Sequence, residues 1–222
     1  MVLKIGHRGA AGYEPENTII SVEKAIELKV DMIEIDAQLC KSGEVIVFHN
    51  NRIAGSGYIA DKTLLELKKY DLIKGQKIPT LEEVLDCINR RTKVNIEIKC
   101  EGAAKKIYSV LEHYVKEKGW KWDDFLVSFF NHYELLEFQK YSNKINLGAL
   151  IAGIPLGYAE CAAKLNAYSL NVSIKFINQN LVDDAHKRGL KLLVYTANEK
   201  EEIENLKSMG VDGIFSDFPD RI

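Results

Sequence analysis

"DMIEIDAQL", residues 31–39, has the composition of a buried strand and two residues such a strand should not tolerate. Met32, Ile33 and Ile35 belong to an interior, while Glu34 and Asp36 interrupt them. Side chains two apart on a strand share a face, so both carboxylates point the same way. "VNIEIKC", residues 94–100, repeats the pattern, with Val94, Ile96 and Ile98 on one face and Glu97 and Lys99 on the other. In a barrel wrapped by helices, the face opposite the helices is the lumen. That reading puts three carboxylates and one ammonium near the top of an enclosed interior.

The rest of the chain supports a barrel. Strand candidates fall at 2–6, 31–39, 94–99, 125–129, 145–150, 168–172, 190–195 and 212–215. Between them run amphipathic segments. Leu81, Val84, Leu85 and Ile88 recur at helical spacing, as do Ile107, Val110, Leu111 and Tyr114. "EKG" at 117–119, "KRG" at 187–189 and "SMG" at 208–210 read as helix stops, with glycine just past the last turn. Eight apolar strands alternating with helices predict an α/β fold, a TIM-type (β/α)8 barrel with a parallel sheet. Only "DFPDRI" follows the eighth strand, so the last helix is very short or missing.

One connection departs from the rhythm. "KSGE" (41–44) reads as a turn and "VIVFHN" (45–50) as a returning strand. A tight hairpin with Lys41 opposite Glu44 sets His49 opposite Asp36. Residues 50–79 then read as a small insertion after strand two, on the face where barrel active sites lie. The whole chain, 1–222, is expected to form one catalytic domain carrying that insertion.

Bulk properties exclude several classes of partner. The 222 residues carry 30 Lys+Arg and 32 Asp+Glu with the signs interspersed, so no basic stripe for nucleic acid or polybasic membrane patch arises. The longest low-charge stretch, near 145–159, is broken by Gly148, Gly153, Pro155 and Gly157 and is too short to span a bilayer. The four cysteines show no C-x-x-C pair and no metal-type spacing, which suits reduced thiols. No signal-peptide pattern precedes the first strand, so a cytoplasmic location without membrane insertion is expected.

The lumenal charges need compensation, because desolvating one unpaired ion costs several kcal/mol. An internal salt bridge to Lys99 accounts for one carboxylate and leaves the others repelling. A divalent cation held by Glu34, Asp36 and Glu97 accounts for all three, and an all-carboxylate set suits Mg²⁺ or Ca²⁺ better than zinc. His7, ending strand one, and His49 would join this cluster. Three carboxylates, Lys99, Arg8 and a divalent ion leave a net charge of roughly +1, suited to a singly charged anion such as a small phosphodiester. Phe129 and Tyr195, at the ends of strands four and seven, are candidate walls for the substrate pocket, with Asn198 nearby. Small residues beside His7 and Arg8 are read as leaving room for a phosphate oxygen and a metal. His113, His132 and His186 read as ordinary helix residues without partners.

Taken in order, "GHRGAAGYEPENT" (6–18), "EIDAQLCKSGEVIVFHN" (34–50), "IPTLEEVL" (78–85), "NIEIK" (95–99) and "YTAN" (195–198) resemble the glycerophosphodiester phosphodiesterase family across nearly the whole chain. The resemblance implies a TIM-type barrel with a divalent metal on Glu34, Asp36 and Glu97. It also implies His7 and His49 as the acid–base pair, Arg8 and Lys99 on phosphate, and Glu16 as a polar residue lining the site. Three departures stand out: Asn50 where the family usually has Asp after the histidine, "NRIAGSG" in the insertion, and Tyr195 where tryptophan is usual. The activity implied is hydrolysis of a glycerophosphodiester to glycerol 3-phosphate and an alcohol, by water or by the substrate's own hydroxyl through a cyclic phosphate. His49 is taken as acid and His7 as base.

Two rival readings keep the same pocket. A lysophospholipase D or sphingomyelinase D type enzyme would want an apolar entrance, which the polar "NNRIAGSGY" (50–58) does not offer. A non-catalytic phosphate-ester binding protein would need neither histidine.

Overall fold

The computed structural model of the chain describes residues 2–222. The strands in chain order are β1 (Leu3–Gly6), β2 (Met32–Leu39), β3 (Val45–Val47), β4 (Arg52–Ile53), β5 (Gly57–Tyr58), β6 (Lys93–Ile98), β7 (Phe125–Phe129), β8 (Asn146–Ile151), β9 (Ser169–Ser173), β10 (Lys191–Tyr195) and β11 (Gly213–Ser216). The helices are α1 (Ile19–Glu27), α2 (Leu64–Leu67), α3 (Leu81–Ile88), α4 (Ala104–Glu117), α5 (His132–Gln139), α6 (Glu160–Lys164), α7 (Gln179–Lys187) and α8 (Lys200–Met209). Parallel pairing runs β1-β2-β6-β7-β8-β9-β10-β11 and returns to β1, which closes an eight-stranded barrel. Each of the eight expected strands is present to within one residue at either end. A single 3-10 turn, Pro219–Arg221, stands where an eighth outer helix would lie.

Alternation along the strands builds two cores. Ile33, Ile35, Val94, Ile96, Val127 and Leu170 face outward into the layer shared with the helices. Ile5, Met32, Leu126, Leu193 and Phe215 face inward and plug the floor of the lumen. A parallel sheet buried on both faces has little room for polar side chains, so apolar runs were a sound guide to its strands.

The helices begin and end where local chemistry provides for it. Thr80 and Glu83 form a reciprocal capping box at the start of α3: the Thr80 hydroxyl accepts from the Glu83 amide, and the Glu83 carboxylate accepts from the Thr80 amide. This gives "IPTLEEVL" a structural reason. Gly210 ends α8 in the left-handed region at φ 81°. Among the described residues, no helix is long and apolar enough to cross a membrane.

The segment after β2 has its own small core, in which Cys40, Ile46, Ile59, Leu67 and Ile78 pack together. β3 runs antiparallel to β2, as expected, but the register is shifted by one residue. Ala37 faces Val47 and Leu39 faces Val45, so the ladder sets Phe48, not His49, opposite Asp36. The turn is the reason. Cys40 bonds Glu44 across a three-residue loop in which Gly43 takes φ 92°, instead of a two-residue turn.

Candidate active site

The carboxylates stand on neighbouring strands, Glu34 and Asp36 within β2 and Glu97 near the C-terminal end of β6. Asp36 on β2 lies in register with Glu97 on β6, and Glu34 with Asn95. One oxygen from each of Glu34, Asp36 and Glu97 falls within 4.8 Å of the others. Glu34 and Asp36 are 2% and 0% exposed. Burial pushes the pKa of Glu34 well up, and the charges of Asp36 and Glu97 push it further. Glu97 is also raised by burial, with Lys99 opposing the shift.

The hydrogen bonds leave part of this cluster bare. Glu34 Oε2 accepts from the Arg8 amide at 2.7 Å, and Asp36 Oδ2 accepts from Asn17 Nδ2 at 2.7 Å. Lys99 Nζ donates to Glu97 Oε1 at 2.6 Å and lies 3.4 Å from Asp36 Oδ1. The internal salt bridge weighed from sequence therefore exists, but it does not complete the site. Glu34 Oε1 and Asp36 Oδ1 are buried without a hydrogen-bond partner. Buried carboxylate oxygens without partners are costly. An all-oxygen set with two such atoms fits a hard divalent cation.

Two imidazoles flank the triad. His7 follows β1, and its Nδ1 lies 2.7 Å from Asp217 Oδ1. The second Asp217 oxygen accepts from Asn198 Nδ2 at 2.6 Å. His49 lies past the end of β3, where the chain has left the ladder, and still reaches the cluster. Burial lowers its pKa, and the charges of Asp36, Lys99 and Arg8 all act on its ring.

The Glycerophosphoryl diester phosphodiesterase family matches residues 7–221, which span every group described above. The chain belongs to this family. It is 35% identical over 237 residues to the glycerophosphodiester phosphodiesterase of Caldanaerobacter subterraneus subsp. tengcongensis, covering 99% of this chain and 96% of that one. Among solved structures, it resembles an Oleispira antarctica phosphodiesterase in complex with the product sn-glycerol-3-phosphate. The TM-score is 0.90 and the identity 30%, over 98% of this chain and 94% of that one. The glycerophosphodiester phosphodiesterase of Thermotoga maritima is similar at a TM-score of 0.81 and 30% identity, over 99% and 96%.

For this member of the glycerophosphoryl diester phosphodiesterase family, the remaining sequence-derived residues fall as follows. Arg8 Nη1 donates to Glu16 at 2.8 Å, and its Nε lies 3.3 Å from Asp36, so Arg8 and Glu16 both border the cluster. Tyr195 stands at the mouth, where its hydroxyl donates to the Ile151 carbonyl at 2.8 Å. Phe129 does not line the pocket. Strand alternation turns it outward into the helix-facing core, and its neighbour Phe130 is the ring that meets Tyr195 edge-on at 6.1 Å.

The glycines after His7 also have a plainer role than the one expected. A Cβ on Gly9, at φ 89°, would come within 2.4 Å of Ser21, and one on Gly12 within 2.3 Å of the Phe218 ring. These glycines let the loop pack down on α1 and on Phe218. His132 and His186 have partners after all, the Leu150 carbonyl at 3.0 Å and Asp212 at 2.9 Å, both away from the triad.

Sequence reasoning gave no positioning role to three residues that hold the site, Asn17 and Asp217 and also Asn198, which it places only near the pocket wall. Asn17 bonds Asp36 through both its side-chain amide and its carbonyl, the latter accepting from the Asp36 backbone at 3.1 Å. Asp217 orients His7, and Asn198 orients Asp217. Asp217 directly follows a buried strand, the same signal that drew attention to His7.

Proposed function

We propose that this chain hydrolyses glycerophosphodiesters, such as glycerophosphocholine, to glycerol 3-phosphate and the free alcohol, in a reaction that depends on a divalent cation. The observation that carries this reading is the pair of buried carboxylate oxygens that accept no hydrogen bond, Glu34 Oε1 and Asp36 Oδ1, the second with only the Lys99 ammonium 3.4 Å away. The product-bound Oleispira antarctica relative supports the same substrate class.

Glu34, Asp36 and Glu97 would hold the cation, Mg²⁺ or Ca²⁺, which when bound supplies Lewis-acid polarisation of a phosphoryl oxygen and a fixed template for the ester. Arg8 and Lys99 stabilise charge on the phosphoryl oxygens as the transition state forms. Burial works against the Lys99 charge, but Glu97 and Asp36 outweigh it and its pKa is raised, so the ammonium persists at neutral pH.

His7 has Nδ1 committed to Asp217, which leaves Nε2 to take the proton of the attacking hydroxyl. His49 returns a proton to the alkoxide as the bond from phosphorus to the alcohol breaks. Water thus adds across one P–O bond, and no charge is left on the leaving group. Glu16 holds Arg8 in place, and Tyr195 bounds the pocket. A non-catalytic binder would have no use for two imidazoles so placed, one of them oriented by a carboxylate. A cytoplasmic location belongs to the same reading, and the four free cysteines suit it.

The test is incubation with glycerophosphocholine or glycerophosphoethanolamine in Mg²⁺, Ca²⁺ or chelator, following release of glycerol 3-phosphate. Activity restored by a divalent ion, and reduced about 10²- to 10⁴-fold in His7→Ala or His49→Ala, supports the reading. Tight binding without release of product would overturn it.

A further inference from the structure

In place of an eighth outer helix, the segment after β11 folds back against the loop that follows β10, and the two meet at Asn198. The Asn198 side chain holds Asp217 twice. Its Nδ2 donates to Asp217 Oδ2 at 2.6 Å, and its Oδ1 accepts from the Asp217 amide at 2.9 Å. The Ser216 hydroxyl donates to the same Oδ1 at 3.1 Å. A side-chain amide can donate and accept at once, which fixes both the backbone and the carboxylate of Asp217 and leaves Oδ1 of that carboxylate for His7.

A carboxylate is placed no better than the residue that holds it. Asn198 lies in a loop whose next residues, Glu199 and Lys200, are exposed, and its own amide has only a 3.3 Å bond to Glu202. Two stronger anchors secure that loop. The Ala197 amide donates to the Phe215 carbonyl at 2.9 Å, and Arg221 Nη1 donates to the Asn198 carbonyl at 2.6 Å. The guanidinium is itself held in place, lying over the Phe218 ring at 3.9 Å. Attraction to the face of the ring and the planar fork of the guanidinium keep its donor aimed. Phe218 meets Tyr13 edge-on at 5.3 Å, and the Gly12 amide donates to the Asp217 carbonyl at 2.9 Å. The loops after β1 and β10 and the segment after β11 are thereby joined around the pair of His7 and Asp217.

Resting on the phosphodiesterase reading above, in which His7 is the base, we infer that Arg221 is a positioning residue for His7, acting through Asn198 and Asp217. Its cation serves the reaction without meeting the substrate: it fixes the carbonyl of the residue that fixes the carboxylate that orients the ring.

The experiment is a double-variant cycle on glycerophosphocholine hydrolysis, with kcat and KM measured for wild type, Arg221→Ala, Asp217→Asn and the two combined. Arg221→Ala should lower kcat about tenfold and move KM by less than about twofold, because a misplaced base costs rate and not ground-state binding. On the Asp217→Asn background the same change should lower kcat by less than about twofold, since the anion that Arg221 places is already gone. A merely structural loss would act alike on both backgrounds. Unchanged kcat in Arg221→Ala, a loss carried mainly in KM, or an equal loss on the Asp217→Asn background would each overturn the assignment. Should Arg221→Ala fail to fold, Arg221→Lys, which keeps a cation and a donor, repeats the cycle with a smaller loss and the same lack of additivity expected. A wild type that releases no glycerol 3-phosphate would instead sink the phosphodiesterase reading itself.

Discussion

His7 and Asp217 stand 210 residues apart in the chain and 2.7 Å apart in space, joined imidazole to carboxylate. Their strands, β1 and β11, form the seam that closes the barrel, and the His7 amide also bonds the Ser216 carbonyl at 2.9 Å. Closure of the fold and orientation of the ring are therefore one event.

Asp217→Asn should lower kcat about a hundredfold while the protein still folds, because the ring loses its orienting anion and not its position. Burial raises the Asp217 carboxyl, but bonds from His7 and Asn198 outweigh it, and the pKa lies below its ordinary value. A carboxyl depressed in the folded state adds stability above its unfolded pKa, near 3.9, and loses it as pH falls through the folded value. Thermal melts of wild type and variant should differ at pH 7 and converge below about pH 4. A variant with unchanged kcat would remove Asp217 from the machinery.

What the sequence revealed and what it hid follow from the same physics. The barrel strands were legible because a sheet buried on both faces needs unbroken apolar runs. Glu34, Asp36 and Glu97 were legible because carboxylates interrupt runs that are otherwise mostly apolar. The β2–β3 register was not, since it turns on whether Gly43 adopts a positive φ, and one residue of slip exchanges every face. The same one-residue ambiguity at a strand end confused Phe129 with Phe130. Asn17 and Asn198 lie in loops whose bonds are set by tertiary placement, so no periodicity announced their roles.

Protons and a divalent ion should compete for the triad. Glu34 and Glu97 have raised pKa values, burial being the largest cause. A carboxyl raised in the folded state makes the metal-free protein lose stability as pH climbs from the unfolded value, near 4.3, through the raised one. Mg²⁺ or Ca²⁺ relieves that penalty only where the carboxylates are ionised. At about a hundredfold excess over Kd, binding contributes roughly 2.7 kcal/mol. The rise in Tm on adding the ion should be roughly 5–10 °C at pH 8 and much smaller at pH 5. Equal rises at both pH values would argue against ion binding at these residues.

Gly9→Ala should destabilise the fold far more than Gly43→Ala, although both glycines have φ near 90°. A Cβ at position 9 meets Ser21 at 2.4 Å, whereas one at position 43 meets nothing within 4 Å. Backbone strain alone costs about 1–3 kcal/mol, and the steric clash adds a similar amount. Denaturant melts should therefore separate the two variants by about 2 kcal/mol. Similar losses would mean that the loop after His7 yields easily.

Glu34→Gln should strengthen the metal-free fold while it disables the site. In the metal-free protein Glu34 is buried beside two other carboxylates, with one oxygen lacking any partner. Glutamine keeps the shape and an oxygen to accept from the Arg8 amide, and it removes a buried charge. Breaking like-charge repulsion at a functional site commonly yields about 0.5–2 kcal/mol. For a chain of this size that is roughly 1–8 °C in Tm, read without added metal. The neutral amide is a far weaker ligand for a hard cation, so the variant should show no Tm response to Mg²⁺ or Ca²⁺ and should lose phosphodiesterase activity. A variant less stable than wild type without metal would show that Glu34 is held by structural bonds worth more than its charge costs. The triad would then be a salt-bridge network, not a site kept under strain for a cation.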